Sequence, residues 1–415
     1  MSLIVQKYGG TSVGDPERIR HVAQRLLDTQ RGGSRVVAVI SAMSGVTDNL
    51  LKLARATSAH PTARELDVLL STGEHAAIAL TAIAINGLGG KAISLTGAEA
   101  GVLTDRAHTK AKIKNISPKQ IHELLSDDYI VVVAGFQGQT AEGEVTTLGR
   151  GGSDLTAIAL AGALNADSCQ IFTDVNGVFT CDPRVVAEAA QLEEIAYDEL
   201  LEMAGAGAKV MQSRAVEFAK KFGVPFEVRS SFNQVPGTVA KEETANMEDV
   251  VIRGISLERK QAKITVAGVP DAPGTASRIF SAIAAANIQV DMIVQNASDE
   301  HQTDISFTVS EADIGDAERL LEPVVADICA SRLSAHSPVA KLSVVGIGMR
   351  SHSGVAARLF ECLGTAGINI QLISTSEIKI AVVIDETEAD LAAQVTHAAF
   401  DLARRRTVAA PSGLG

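Results

Sequence analysis

The stretch LIVQKYGGTSVGDPE, residues 3–17, decides the fold class of this 415-residue chain. Its apolar, β-branched start at 3–7 predicts a buried strand, and the pair Gly9-Gly10 predicts the turn that follows. Asp15 and Pro16 then match a helix N-terminus, with a capping side chain before a proline in the first turn. A strand that leads through a glycine turn into a helix is the repeating unit of an α/β sheet.

The same alternation of apolar runs and helical patterns continues through the first 240 residues. Runs at 35–40, 129–134 and 170–173 predict further buried strands. The segment FGVPFEVRSSFNQVPGT at 222–238 predicts the last strand, and the polar KEETANMED at 241–249 predicts a linker. We therefore expect an open, mostly parallel sheet with helices on both faces in residues 1–240. A linker and the start of a second region would occupy 241–260.

After the linker, one unit occurs twice with a period of 80 residues. When Gly274–Ile293 is aligned with Gly354–Ile373, seven of 20 positions are identical. Each copy predicts strand, helix, two strands, helix and strand, which is the ferredoxin-like βαββαβ pattern. We assign the first copy to 261–338 and the second to 339–415. Such a pair suits ligand sensing better than independent catalysis.

The composition narrows the function classes. A net charge of −12 argues against a surface that attracts nucleic acid or an anionic membrane. The 11 Phe, 3 Tyr and absent Trp are too few for the stacking platforms that bind carbohydrate or single-stranded nucleic acid. The amino terminus has no basic segment and no 18-residue apolar stretch is apparent, so we expect a cytoplasmic protein. The four cysteines form no CxxC pair, which favours reduced packing residues over disulfides or zinc ligands.

Two glycine-rich turns are suited to anions. KYGGTS, residues 7–12, places a lysine at a strand end before a turn whose backbone N–H groups can approach a polyphosphate. LGRGGSD, residues 148–154, places Arg150 on a second such turn at the start of an apolar helix. An ordinary tight turn and a simple helix cap at Asp154 remain the alternatives for these two segments. Neither segment is a Walker A loop, because GxxxxGK[ST] does not occur.

Four further segments follow or precede predicted elements: SAMSGVT at 41–47, STGE at 71–74, FTDVNGVFTCDPR at 172–184 and AGAGAKVM at 204–211. Each segment alone fits a cap or turn. The segments that follow strands lie at carboxyl ends, the edge where open α/β sheets bind ligands. Their convergence is more informative than any single motif.

Taken in this order and followed by two sensor-like repeats, KYGGTS, SAMSGVT, STGE, GRGGSD, TDVNGV, DPR and GAKV closely resemble the aspartate kinases, members of the amino-acid kinase fold family. The resemblance covers essentially the whole chain. It implies phosphoryl transfer from ATP, with Mg²⁺, to the side-chain carboxylate of L-aspartate, the first step toward lysine, threonine, methionine and isoleucine. It also implies that the repeats are ACT domains. The chemistry agrees with the motifs, because an ionised carboxylate needs no general base and leaves only charge neutralisation and alignment to the protein.

The resemblance implies roles for individual residues. Lys7, Asp154 and Lys209 are the catalytic set, with Asp154 orienting the lysine. The expected ATP-binding residues are Lys7, Tyr8, Gly9, Gly10, Thr173, Asp174, Phe179, Asp182, Arg184 and Lys209. The expected substrate residues are Thr11, Ser12, Ser41, Thr47, Glu74, Arg150, Gly152 and Ser153, with Glu74 for the α-ammonium and Arg150 for the α-carboxylate. Mg²⁺ would be held mainly by phosphates and water, so we expect no all-protein metal cage and no tightly bound cofactor.

The resemblance also implies an effector site in each repeat, for lysine, threonine or both. The expected allosteric residues are Asp271, Gly274, Thr275, Ala276, Gln295, Asn296, Met349, Ser353, Val355, Asn369 and Ile370. A homodimer through the ACT domains is expected, with a tetramer or a short regulatory subunit starting at Met247 as open alternatives. An ordinary linker methionine and a plain dimerisation module are the structural interpretations of these features. A different kinase of the same fold and a non-catalytic amino-acid sensor are the competing functions.

Overall fold

The computed structural model describes residues 1–205, 211–242, 251–297, 302–347, 349 and 354–403. The described chain divides into two compact units. The first contains residues 1–178, 191–204 and 211–242, and the second contains residues 179–190, Gly205 and the described residues from 251 onward. The predicted linker segment lies largely outside the described residues.

The first unit alternates short strands with helices. Its strands are β1 (Leu3–Tyr8), β2 (Arg35–Ile40), β3 (Ala92–Leu95), β4 (Val102–Thr104), β5 (Ile113–Ile116), β6 (Ile130–Ala134), β7 (Gln137–Gln139), β8 (Val145–Thr147), β9 (Ser168–Thr173), β10 (Glu194–Ala196), β11 (Phe226–Ser230) and β12 (Thr238–Lys241). Its helices are α1 (Pro16–Arg31), α2 (Val46–Thr57), α3 (Ala63–Gly87), α4 (Lys119–Ser126), α5 (Gly152–Leu164), α6 (Tyr197–Gly205) and α7 (Ser213–Phe222).

Helix α1 begins where the sequence predicts. Asp15 is the N-cap, and its carboxylate accepts hydrogen bonds from the backbone N–H groups of Glu17 and Arg18. Pro16 occupies the first turn, and Gly32 caps the C-terminus. The buried apolar residues Val22, Ala23, Leu26 and Leu27 lie three, four, seven and eight positions after Ile19, which turns one stripe of the helix toward the sheet.

Eight strands form the main sheet, in the order β10-β12-β11-β9-β1-β2-β6-β3. All neighbouring pairs are parallel except β11 and β12. Strand β1 therefore lies between β2 and β9, and their carboxyl ends meet at one edge. Tyr8, Ala38 and Val132 point into one core with α1 and α3, whereas α5 contacts β1, β2 and β9. The open, mostly parallel sheet with helices on both faces that the sequence predicts is confirmed. A smaller sheet follows the order β5-β4-β7-β8.

The segment predicted as one last strand forms a hairpin instead. Strands β11 and β12 are antiparallel, with Phe226 opposite Ala240. The turn contains Pro236-Gly237, and Gly237 donates its backbone N–H to Glu227 Oε1 at 2.8 Å. The proline-glycine pair thus reverses the chain within the sheet rather than ending it.

The second unit contains β13 (Val251–Pro270), β14 (Ile293–Ala297), β15 (Gln302–Ser310), β16 (Arg332–Ile347), β17 (Leu372–Thr375) and β18 (Lys379–Asp385). Its helices are α8 (Thr275–Ala285), α9 (Ile314–Asp327), α10 (Gly354–Thr365) and α11 (Ala389–Ala399). The six strands form one sheet in the order β14-β15-β13-β16-β18-β17.

The two ferredoxin-like repeats are joined through β13 and β16. The second half of β13 pairs with the first half of β16 in the first repeat. The first half of β13 pairs with the second half of β16, with Ile255 opposite Val344, and is the outer strand of the second repeat. Residues 251–258, expected within the linker region, therefore supply that strand. In the described chain, helix α11 is the last regular element of the second repeat.

Residues 179–190, expected to belong to the catalytic region, pack with the second unit. Cys181 and Val186 lie in the core that Leu342 and Leu359 also share. Thr180 Oγ1 lies 2.9 Å from His397 Nε2, and Thr180 O accepts the backbone N–H of Ile255 at 2.7 Å. The catalytic region predicted as a continuous 1–240 is thus interrupted by this segment.

Helix α3 is long and apolar enough to cross a membrane by length and composition alone, whereas the sequence analysis predicts no apolar stretch of 18 residues. Half of that stretch is buried in the structure, and Asp67 and Glu74 are among its buried residues. A core helix of a globular protein passes the same test. All four cysteines are free thiols, with Cys169 and Cys181 buried as expected and Cys329 exposed.

Candidate active site

The first glycine turn lies at the centre of the main sheet. Gly9 donates its backbone N–H to Phe172 O at 3.3 Å, and Ser44 N donates to Gly10 O at 3.1 Å. A Cβ at Gly10 would lie 2.7 Å from Ala42 O, so this position has no room for a side chain. The loops after β1, β2 and β9 are therefore held together at one edge.

Lys7 and Asp154 form an ion pair at this edge. Lys7 Nζ lies 2.5 Å from Asp154 Oδ1, and both side chains are nearly nine-tenths buried. The contact brings the charges together without the alignment of a hydrogen bond, and Asp154 Oδ1 is buried. Gly152, Ser153 and Asp154 form the first turn of α5, where the N-terminal end of the helix favours negative charge. The N-cap of α5 is Gly151, so Asp154 contacts the lysine and is not the helix cap.

Glu74 is a buried carboxylate with an unused oxygen. Ala42 N donates to Glu74 Oε1 at 3.2 Å, whereas Glu74 Oε2 is buried without a hydrogen-bond partner. Burial raises the pKa of Glu74 to about 7, because desolvation outweighs the backbone hydrogen bonds that lower it. A buried, unpaired oxygen of this kind is a ready acceptor for a cationic ligand.

The other predicted substrate residues lie near this edge. Ser41 and Thr47 are half-buried, on the loop after β2 and in the first turn of α2. Gly135 donates its N–H to Ile40 O, at the end of β2. A Cβ at Gly135 would lie 2.7 Å from Ser153 Oγ, so Ser153 also lies close to the end of β2. Arg150 is exposed between Gly149 and Gly151, both of which adopt positive φ. Thr11 is half-buried and Ser12 is buried.

Only part of the predicted nucleotide set is brought together. Thr173 ends β9 beside β1 and Asp174 follows it, and Thr173 Oγ1 donates to Asp174 Oδ1 at 3.1 Å. Tyr8 stacks on Phe172 with ring centroids 4.6 Å apart and donates its hydroxyl to Gln6, so its side chain faces the core and leaves only its backbone for a ligand. Burial raises the pKa of the Tyr8 hydroxyl well above its ordinary value, although Arg25 and Arg229 oppose the shift.

Three nucleotide-set residues belong to the second unit, and one is outside the described residues. Phe179 is half-buried, and Asp182 accepts hydrogen bonds from the Arg184 guanidinium, which lowers the pKa of that carboxyl. Lys209 lies outside the described residues. Its catalytic and ATP-binding roles stay predictions.

Two features near the site escaped the sequence analysis. Ser231 Oγ accepts from Ser12 Oγ at 2.9 Å, and Ser231 N donates to Thr173 O at 2.9 Å, so a loop after β11 joins the glycine turn to β9. Arg25 lies over the Phe172 ring at 4.9 Å and donates to backbone oxygens of the same loop. The serine pair in RSSF, residues 229–232, was the sequence signal that could have indicated the Ser231 contacts. No local sequence pattern indicates the role of Arg25.

The predicted effector residues divide into exposed and buried positions. Asp271 and Gly274 are exposed before α8, Thr275 and Ala276 are half-buried, and Gln295 and Asn296 are exposed on the edge strand β14. In the second repeat, Asn369 is exposed and Ile370 half-buried. The side chains of Met349 and Val355 belong to a hydrophobic core, which leaves their backbone to contact a ligand. Ser353 lies outside the described residues.

A mostly parallel sheet with glycine turns and a buried lysine–aspartate pair at its carboxyl edge suits the binding of an anionic ligand. Residues 2–230 match the amino acid kinase family, and residues 264–323 and 342–400 match ACT domains. The chain is 52% identical over 405 residues to an aspartate kinase of Pseudomonas fluorescens, covering 97% of this chain and 98% of that one. It is 51% identical over 403 residues to an aspartate kinase of Stutzerimonas stutzeri, covering 97% and 98%.

A solved structure of Escherichia coli aspartokinase III in complex with aspartate and ADP is also similar, with a TM-score of 0.79 and 25% identity. The match covers 96% of this chain and 99% of that one. The chain belongs to the amino acid kinase family, and within it to the aspartate kinases, which are ATP-dependent phosphotransferases with a carboxyl acceptor. Its two C-terminal repeats are ACT domains.

Proposed function

We propose that this enzyme transfers the γ-phosphoryl group of ATP to the β-carboxylate of L-aspartate and so forms 4-phospho-L-aspartate. The observation that carries the amino-acid part is Glu74, whose unpaired buried oxygen suits the α-ammonium group. Arg150, exposed on the glycine-rich turn before α5, would bind the α-carboxylate through its planar guanidinium. The reaction would open lysine, threonine, methionine and isoleucine biosynthesis in the cytoplasm.

The reaction needs little covalent help from the protein. A β-carboxylate oxygen attacks the γ-phosphorus, the bond to the β–γ bridging oxygen breaks, and ADP leaves with that electron pair. The attacking carboxylate is ionised near neutral pH, so no proton must be removed. Lys7 would neutralise charge on the phosphoryl group, and Asp154 would hold Lys7 in place through the 2.5 Å ion pair.

Magnesium would arrive with ATP. In the described residues, no group of three or more His, Cys, Asp or Glu side chains is arranged to hold a metal ion. The glycine turn and Lys7 suit phosphate oxygens instead, which leaves the ion to phosphates and water. When bound, Mg²⁺ supplies charge neutralisation on the transferring group.

Trapping of the acyl phosphate tests this function. With ATP, Mg²⁺ and hydroxylamine, L-aspartate should yield aspartyl hydroxamate and stoichiometric ADP. We expect Lys7→Ala to lower kcat by about 100-fold or more, the usual cost of removing one transition-state charge contact. Lys91→Ala is the matched control, because Lys91 Nζ contacts Asp127 O away from the site.

Product from glutamate or UMP but not from aspartate would assign another kinase of this fold. Lysine or threonine binding without any turnover would instead assign a non-catalytic sensor. Full activity in a folded Lys7→Ala variant would refute the role of Lys7.

Regulation by lysine, threonine or both at the ACT domains belongs to the same proposal. The exposed residues before α8 and on edge strand β14 support it, because they leave polar groups available to an amino acid. We also propose a homodimer formed through the ACT domains, with a tetramer or a short regulatory subunit starting at Met247 as further assemblies. Met247 lies outside the described residues.

A further inference from the structure

Asp67 is a fully buried carboxylate that the proposed reaction does not use. Thr109 N donates to both of its oxygens at 3.0 and 3.1 Å, and Thr147 Oγ1 donates to Oδ1 at 2.5 Å. His108 Nδ1 lies 2.7 Å from Oδ2. These partners come from the loop after β4 and from the end of β8, whereas Asp67 itself is on α3.

The position of Asp67 links two halves of the substrate site. Asp67 and Glu74 are seven residues apart on α3, so two helical turns place them on the same face. Thr147 ends β8, three residues before Arg150. The turn that carries Arg150 contains two glycines with positive φ, so its position depends on the anchored strand at its base.

A second contact supports the same connection. Gln137 Nε2 donates to Ser71 O at 3.2 Å, and Gln137 Oε1 lies 2.8 Å from His75 Nε2. Strand β7, which carries Gln137, pairs with β8. Helix α3 is thus attached to both strands of the β7–β8 ladder. Burying a carboxylate lowers the stability of the fold unless its oxygens are fully hydrogen-bonded. An apolar residue at position 67 would pack α3 without that loss of stability.

We propose that Asp67 is a positioning residue of the amino-acid site. It fixes the distance between the helix that carries Glu74 and the strand that leads to Arg150. This inference rests on the proposed roles of Glu74 and Arg150. ATP is expected instead at the glycine turn after β1. Weakening the contacts of Asp67 should therefore weaken aspartate binding and leave ATP binding unchanged.

Thr147→Val tests the link without removing the buried charge. We expect KM for aspartate to rise about tenfold, the effect of one lost charge-assisted hydrogen bond, with KM for ATP and kcat within about twofold of wild type. Thr147→Ser keeps the hydroxyl and should restore the wild-type KM. Thr146→Val is the matched control, since the buried Thr146 hydroxyl lies 2.6 Å from Thr104 Oγ1 and is not among the described hydrogen-bond partners of Asp67.

Thermal unfolding of the same variants separates positioning from folding. Thr147→Val and Thr146→Val should both lower Tm, but only Thr147→Val should change KM for aspartate. An unchanged KM in Thr147→Val, or equal rises for aspartate and ATP, would overturn the proposal. Glu74→Gln and Arg150→Ala are measured in parallel, because unaltered aspartate kinetics in those variants would reject the substrate site itself.

Discussion

At the scale of single residues, Glu74 shows a conflict between burial and charge. Its side chain is 3% exposed, and desolvation raises its pKa to about 7. Its backbone donor Ala42 satisfies one oxygen and leaves the other free. In the ligand-free protein the ionised form is therefore disfavoured, and an ammonium group at Oε2 would remove that penalty.

This conflict predicts a pH dependence of aspartate binding. Only ionised Glu74 attracts the α-ammonium, so KM for aspartate should rise about tenfold between pH 8 and pH 6 as a group with a pKa near 7 is protonated. Steady-state kinetics across this range would measure it. Glu74→Gln should raise KM at pH 8 and flatten the profile. A profile unchanged by the substitution would contradict the assignment.

The same shift has a consequence for stability. The folded-state pKa of Glu74 lies above the ordinary value of 4.5, so its contribution is favourable below pH 4.5 and is lost as pH rises through about 7. Ligand-free Glu74→Gln should therefore unfold at a higher temperature than wild type at pH 8. This result would separate a functional carboxylate from one that stabilises the fold.

The sequence predicts residues of this site well where they end strands or begin helices. Lys7 and Asp154 could be placed at one edge because parallel strands align their carboxyl ends. The direction of Tyr8 could not be assigned from the glycine turn, since a one-residue change of strand alternation moves a side chain to the other face. Asp67 and Arg25 depend on contacts distant in sequence, which no local pattern reveals.

At the scale of elements, the turn after β1 depends on the absence of a side chain at Gly10. A Cβ there would lie 2.7 Å from Ala42 O, a backbone atom of the loop after β2. Gly14, at the end of the same turn, has negative φ, and a Cβ there would meet nothing closer than 3.5 Å. Both glycines therefore belong to the same turn, but only Gly10 lacks room for a side chain.

Gly10→Ala should displace the loop that carries Ser41 and the glycine turn together. We expect kcat/KM to fall by about tenfold or more, because small misplacements of binding loops are costly in catalysis. Gly14→Ala should behave like wild type in kinetics. Far-UV circular dichroism would check that both variants fold. Equal kinetics for the two alanine variants would show that the close approach to Ala42 is unimportant.

The repeats show why local patterns predict elements better than their partners. The period of 80 residues correctly indicates two ferredoxin-like units, because each copy repeats the same helix and strand pattern. The outer strand of the second unit comes from 251–258, ahead of the first unit in the chain. Residues 251–258 pair with the unpaired edge of β16 in the second unit. The order of the strands in the sequence does not specify which segment pairs with such an edge.

At the scale of the whole molecule, the chain builds separate cores for its two units. The first core joins β1, β2 and β6 to α1 and α3, and the second unit has a core for each repeat. Residues 179–190, with Asp182 and Arg184, belong to the second unit, although the resemblance assigns those two residues to the nucleotide. The nucleotide-binding roles of Asp182 and Arg184 stay predictions.

Asp271 provides a test of the proposed regulation by lysine at the ACT domains. Its exposed carboxylate precedes Gly274 and helix α8, where a cationic effector such as lysine would gain an ionic contact. Asp271→Ala should raise the lysine concentration for half-inhibition by about tenfold, the value of one partly desolvated ion pair, while uninhibited kcat stays unchanged. Asp316→Ala, which removes an exposed carboxylate on α9 of the same repeat, is the matched control. Because Asp271 lies outside the catalytic unit, loss of basal activity in Asp271→Ala would indicate a structural role, and inhibition equal to wild type would exclude Asp271 from the effector site.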